Sequence, residues 1–264
     1  MSLRSMFYKM KPIQMGHERF ERMCVEYGFQ IHNPINYRRT TNSNGVIRFP
    51  NLIENLTITT INQAWVSDIT YYEIGDKLYY LTFIMDVCSR FIKGYRASRT
   101  LRTSDTTIPA LLKAVKHNQV PVNLIIHSDG GGQYYAKEFV SLTSKYKMRN
   151  SMAREVYENP EAERVNGTIK NNYLKHWTII SYAQLVKSLD RAVKLYNYEK
   201  PHKSLNYSTP AQLESMHYLE RGQTAEGDES LTANLATAGA SSPLVAGTNR
   251  LRIRCTTGKL RKSR

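Results

Sequence analysis

From residue 62 onward the hydrophobic residues change period several times, and each change marks an element. Residues 62–75 are rich in β-branched and aromatic side chains (Trp65, Val66, Ile69, Thr70, Tyr71, Tyr72, Ile74), which fit a pleated, half-buried strand. Gly75-Asp76-Lys77 is a turn signal, Leu78–Val87 is a second apolar run and Phe91–Ala97 a third. Three strands with short connections predict an antiparallel meander. The period then lengthens: Ile108, Leu111, Leu112 and Val115 recur at helical spacing within Ser104–Lys116. Val122–His127 (VNLIIH) is a short continuous apolar run, the pattern of a central strand buried on both faces. A helix over Lys137–Tyr146, a short strand around Arg149–Met152 and two long helices near 160–175 and 181–199 complete the series. Three strands, a helix, a strand and further helices predict a mixed sheet with helices packed on it.

Charge adds a partner. Thirty-seven Lys and Arg against 22 Asp and Glu give a net charge of +15, a field that attracts polyanions and on DNA gains from counterion release. No apolar run approaches the roughly 20 residues of a spanning helix, and the N-terminus lacks the apolar stretch of a secretory signal. The cysteines, Cys24, Cys88 and Cys255, are odd in number, scattered and without zinc-knuckle spacing. They read as free thiols in a reducing, cytoplasmic compartment.

The flanks differ from the middle. Residues 1–55 read as a basic helical unit, in which Gly16–Gly28 places Phe20, Met23, Cys24 and Tyr27 at 3- and 4-residue spacing. The polar run Asn36–Thr41 brings Arg38 and Arg39 forward as candidate DNA contacts. The unit is a candidate DNA-binding subdomain or an arm on the core. Residues 56–218 hold the core. After Tyr218 no aromatic residue occurs, and Gly222–Asn249 contains three acids, no Lys or Arg, and much Ala, Thr, Ser and Gly. Residues 219–264 are therefore expected to be disordered, with a basic end of seven Lys or Arg in the last 15 residues.

Three acids stand out. Asp68 lies inside the first strand, where an acid is costly unless it is paired or binds a cation. Asp129 follows the buried strand at its C-terminal end, the place where sites form in open α/β sheets, and Gly130-Gly131-Gly132 comes next. Glu163 sits one turn into a helix marked by Asn159 as N-cap and Pro160 at the first helical position. Three hard oxygen ligands suit Mg²⁺ or Mn²⁺, and two such ions serve phosphoryl transfer. Asp86, with Arg90 four residues on, reads instead as a structural ion pair, and His127 as a core histidine.

The segments W-V-S-D-I-T-Y (65–71), H-S-D-G-G-G-Q-Y (127–134) and E-N-P-E-A-E-R-V-N-G-T-I-K (158–170) resemble the three acidic motifs of the integrase core of DDE transposases. The closest likeness is to the IS3-type insertion-sequence transposases, the product of their second reading frame. Y-N-Y-E-K-P-H-K-S-L-N-Y-S-T-P (196–210) resembles the segment that closes that core. The resemblance implies a ribonuclease-H-like, five-stranded mixed sheet flanked by helices. It implies metal-dependent DNA cleavage and strand transfer at the inverted repeats of a mobile element. Asp68, Asp129 and Glu163 would hold two metal ions, and Lys170 would touch DNA from the face of Glu163. Thirty-three residues lie between Asp129 and Glu163, slightly fewer than is usual in the family, which keeps Glu158 and Glu161 as rivals for the third position. The resemblance also implies a homo-oligomer on nucleoid DNA and a partner protein from an upstream frame. Two alternatives stay open: a ribonuclease-H-like nuclease without joining activity, and a catalytically silent DNA-binding remnant.

Overall fold

The computed structural model describes residues 16–28, 48–116, 118, 120–153 and 158–220. Arg38, Arg39 and the tail beyond 220 lie outside the described residues. The strands are β1 (Ala64–Ile74), β2 (Lys77–Asp86), β3 (Ile92–Ser98), β4 (Ile125–Ser128) and β5 (Arg149–Met152). The helices are α1 (His17–Glu26), α2 (Thr107–Lys116), the one-turn α3 (Gly132–Tyr135), α4 (Lys137–Lys145), α5 (Pro160–Asn172), α6 (Tyr182–Lys194) and α7 (Pro210–Glu220). A π-helical turn, Leu195–Glu199, extends α6. All five expected strands are present within a few residues of their sequence bounds. The added helix α7 carries regular structure past Tyr218.

The sheet order is β3-β2-β1-β4-β5. β1, β2 and β3 form the antiparallel meander, while β4 and β5 add in parallel to β1. Gly75, at φ +56°, supplies the left-handed residue that the tight β1–β2 turn needs. Because successive strand residues face opposite sides, β1 feeds two cores. Val66 joins Phe83, Ala162, Val165, Ile169, Leu185 and Leu189 under α5 and α6. Trp65 joins Ile84, Leu111, Ile126 and Phe139 under α2 and α4. The result is a sheet covered by helices on both faces.

Two helices are rotated from their sequence expectation. In α2 the buried residues are Thr107, Ala110, Leu111 and Ala114, and Leu112 is exposed. The reason is Gly94 on β3: a Cβ there would lie 2.1 Å from the Ala110 carbonyl oxygen and 2.8 Å from the Ala114 Cβ. The glycine lets the helix backbone approach the sheet, so the small residues Ala110 and Ala114 meet β3 while Leu111 packs into the core beside them. In α1 Phe20 and Cys24 are buried as expected, but Met23 and Tyr27 are exposed. Cys24 is a free buried thiol, whereas Cys88 is disulfide-bonded, which corrects the reading of all three cysteines as free.

Candidate active site

Register brings the first two acids together. Parallel pairing of β1 with β4 sets Ser67 opposite Ser128, so the next residue on each strand is Asp68 and Asp129. Adjacent strands lie ~4.8 Å apart, and two carboxylates leave the same end of the ladder side by side. The backbone holds one oxygen of each: Ile69 N–H donates to Asp68 Oδ1 at 2.8 Å and Gly131 N–H to Asp129 Oδ1 at 3.1 Å.

Helix α5 is pinned to the same strand. Asn159 is at the N-cap position but does not cap; its Nδ2 donates 3.0 Å to the carbonyl of Ser67. That bond fixes the start of α5 beside the residue preceding Asp68. One turn on, Glu163 carries its carboxylate on an exposed position, and Asn166, three residues later on the same side, donates to Asp68 Oδ2 at 2.7 Å. Lys170 completes this row. Its Nζ lies 3.3 Å from Thr70 Oγ1 and 4.5 Å from the centre of the Tyr71 ring, so it is held along β1 rather than solvated.

The acids repel one another. Burial, then the Asp129 charge and more weakly Glu163, push Asp68 up to about 8. Burial raises Asp129 and, to a lesser degree of enclosure, Glu163. The Tyr134 hydroxyl, 2.8 Å from Ser67 Oγ, is raised by burial and by both aspartates. A divalent cation would relieve this repulsion, and the all-carboxylate donor set suits a hard ion. Among the described residues no three His, Cys, Asp or Glu side chains already form a closed metal cage. Asp68 and Asp129 are the formed pair, and Glu163 stands toward solvent.

The rivals for the third position are engaged elsewhere. Glu161 is ion-paired with Arg90 and, at 3.2 Å, with Arg164. Glu158 Oε2 accepts from Asn51 Nδ2 at 2.9 Å. Asp86 does not pair with Arg90 as its spacing suggested. Its oxygens accept from the backbone N–H groups of Asn62 and Ser89, both at 2.7 Å. His127 is fully buried with Nδ1 2.8 Å from Ser151 Oγ, and burial pushes it down to about 4, which fits a neutral core residue. Asn166 and Tyr134 were not singled out from sequence. The i+3 spacing of Asn166 from Glu163 was the available signal, whereas the contact of Tyr134 with Ser67 spans 67 residues and had none.

Residues 59–157 match the family model described as the integrase core domain, and residues 144–210 match a second model of that description. Over 204 residues the chain is 30% identical to the 31 kDa protein of insertion element IS600 from Shigella sonnei, with 75% of each chain covered. The chain belongs to the integrase-core family of insertion-sequence transposases. Its class is therefore the DDE polynucleotidyl transferases, enzymes of DNA transposition, a family that implies use of a divalent metal. This transposase is also 26% identical over 183 residues to the transposase for insertion sequence element IS904 of Lactococcus lactis subsp. lactis, covering 67% of this chain and 72% of that one. Among solved structures, the HTLV-2 integrase catalytic core domain in complex with magnesium is similar with a TM-score of 0.48 and 23% identity. That match covers 58% of this chain and 95% of the other. No described helix is long and apolar enough to cross a membrane.

The repulsion between the acids makes a test that needs no DNA. The folded Asp68 pKa of about 8 exceeds the unfolded value of ~4, so the folded state holds this proton more tightly. The group's stabilising contribution is present below about pH 4 and is lost as pH rises toward about 8. In chelator, Asp68→Asn is expected to gain in melting temperature over wild type as pH rises through that window, by up to roughly 10–20 °C (about 1.4 kcal/mol per pKa unit and ~2–4 °C per kcal/mol at this size). Mg²⁺ should raise the wild-type Tm at pH 8 and leave Asp68→Asn nearly unmoved. Taking the difference between variants cancels the buried histidines, which titrate with opposite sign. A difference that stays flat with pH would show that neither burial nor the Asp129 charge raises Asp68 in the folded protein.

Proposed function

We propose that this transposase cleaves DNA at the terminal inverted repeats of its element and joins the ends to target DNA, with Asp68, Asp129 and Glu163 as ligands of two Mg²⁺ or Mn²⁺ ions. The observation that carries the residue assignment is the in-register pair Asp68–Asp129 beside an α5 pinned through Asn159. When bound, such ions activate the attacking oxygen and stabilise the leaving one. The chain's own residues set the frame for that chemistry. Ile69 N–H and Asn166 hold the two oxygens of Asp68, so its orientation is fixed by protein and not by the ligand. Gly131 N–H does the same for Asp129. Glu163 joins by a change of side-chain rotamer from its exposed position, while Glu161 and Glu158 are committed to other partners.

Lys170 extends this machinery toward DNA. Burial lowers its pKa, opposed by Glu73, and its place two residues along β1 from Asp68 suits contact with a phosphate near the acids. Lys170→Ala is expected to reduce strand transfer by roughly tenfold to a hundredfold, because small displacements of a reacting end carry large rate penalties. Stability should change little, since Ala is the better helix former. Lys170→Arg should recover part of the loss. The exposed Lys187 on α6 is the control; an equal loss in Lys187→Ala would make Lys170 an ordinary surface charge.

The whole reading is tested with a labelled duplex carrying the element's terminal repeat. Nicked and joined products in Mg²⁺, and none in chelator, support it. Nicked products that never join would indicate the ribonuclease-H-like nuclease, and no products a silent remnant. The family membership and the +15 charge support DNA as the partner, with affinity that falls steeply with salt. We further infer a homo-oligomer on DNA in the bacterial cytoplasm and a partner protein from an upstream frame.

A further inference from the structure

The face of α5 opposite Glu163 lines a small cavity. Glu161 and Arg164 project into it from α5, Arg90 from the β2–β3 turn, and Lys200, His202 and Ser204 from the segment after α6. Its volume is about 80 Å³, far below the ~300–1,000 Å³ of sites for organic ligands. It has room for a few waters or one small ion.

Its charge is not balanced. Three permanent cations, Arg90, Arg164 and Lys200, share the wall with one carboxylate, and that carboxylate, Glu161, is divided between the two arginines. Lys200 has no ion pair among the described residues. His202 Nε2 is buried without a hydrogen-bond partner, and its ring stands edge-on to Tyr196 with centroids 4.8 Å apart. Burial lowers Lys200, and burial together with Lys200 and Arg90 pushes His202 down to about 3. These are the marks of positive charge gathered in an enclosed space.

The backbone is strained to place one of these cations. Arg90 has φ +62°, the left-handed region that costs any residue with a Cβ and is more readily taken by Gly or Asn. The turn is held there by Arg90 N–H to the Asp86 carbonyl at 2.9 Å, and the guanidinium is 10% exposed. An arginine kept in a glycine-like conformation, with its head in the cavity, argues for a use of that head.

We propose that this cavity binds a phosphate group. A tetrahedral oxyanion would offset the excess charge and accept from the arginine forks, the Lys200 ammonium, His202 Nε2–H and the Ser204 hydroxyl. The Arg164 side chain, 71% exposed, stands at the mouth, so the group can come from free phosphate or from a nucleic-acid backbone. An occupant would brace α5 from behind and so steady the turn that carries Glu163. The inference rests on charge and space in the cavity and does not depend on the assignment of Glu163.

The test is thermal unfolding of the full chain, without divalent metal, in sodium phosphate against sodium chloride of equal ionic strength. A saturable rise in Tm specific to phosphate is expected. It should vanish in Lys200→Met, which keeps the side-chain stem, and weaken in Ser204→Ala, the fallback if the first variant folds poorly. Phosphate ³¹P line broadening gives an independent readout. A short DNA duplex separates the sources. Duplex binding that competes with phosphate and weakens in Lys200→Met assigns the group to DNA, and duplex binding unchanged in Lys200→Met assigns it to the free ion. An equal response to phosphate and chloride, or a phosphate response unaltered in both variants, overturns the proposal. A failed duplex-joining assay would leave this result standing, and so the two readings fail separately.

Discussion

Asp68→Asn, Asp129→Asn and Glu163→Gln are each expected to lower DNA cleavage and strand transfer by roughly a thousandfold or more, the scale seen when one member of a concerted catalytic set is removed. The two aspartate variants and the glutamate variant should share that loss and differ in stability. Asp68→Asn and Asp129→Asn each remove a carboxyl whose charged form is disfavoured by burial, so the chelated protein gains stability at neutral pH. Glu163→Gln changes an exposed side chain and leaves Tm near wild type. Glu161→Gln is the opposite case: it strips Arg90 and Arg164 of their shared carboxylate and should lower Tm, because a largely buried guanidinium loses its counter-charge. Its activity at a temperature well below that Tm should remain. Product formation on a labelled repeat, measured beside the melting curve of each variant, checks the pattern. Retained activity in Glu163→Gln with a loss in Glu161→Gln at matched stability would move the third ligand to Glu161.

The second large effect is on the fold. Gly94→Ala is expected to cost about 3 kcal/mol, the upper end of overpacking. The new Cβ would meet the Ala110 carbonyl oxygen at 2.1 Å and the Ala114 Cβ at 2.8 Å, and the first of these is backbone that cannot rotate away. At ~2–4 °C per kcal/mol, Tm should fall by roughly 6–12 °C. The same substitution at Gly167, inside α5, should do the reverse. A Cβ there meets only the Asn171 side-chain nitrogen at 4.0 Å, so Gly167→Ala should gain about 0.5–1 kcal/mol from restricting the unfolded chain. Urea unfolding of the pair reads both. Equal effects would mean that the close approach of α2 to β3 does not limit packing.

The β1–β2–β3 meander and the buried strand β4 were legible because strand period and turn chemistry are local properties. Asp68 and Asp129 were legible for a related reason: an acid inside an apolar strand and an acid at a strand's C-terminal end are each conspicuous against their neighbours. Charge named the class of partner. What the sequence could not decide depends on contacts between distant residues. The face that α2 buries follows from Gly94 meeting Ala110 and Ala114, a pairing no helical period contains. The partner of Arg90 is Glu161, 71 residues away, and not the nearby Asp86, because the turn satisfies Asp86 with backbone donors and points the guanidinium at α5. The partners of Glu158 and Glu161 were beyond reach for the same reason, since only the tertiary structure brings Asn51, Arg90 and Arg164 to them. The closeness of Asp68 to Asp129 came last of all. Parallel strands cannot be joined by a tight turn, so their register is set by the packing of the whole sheet, and that register places the two carboxylates side by side.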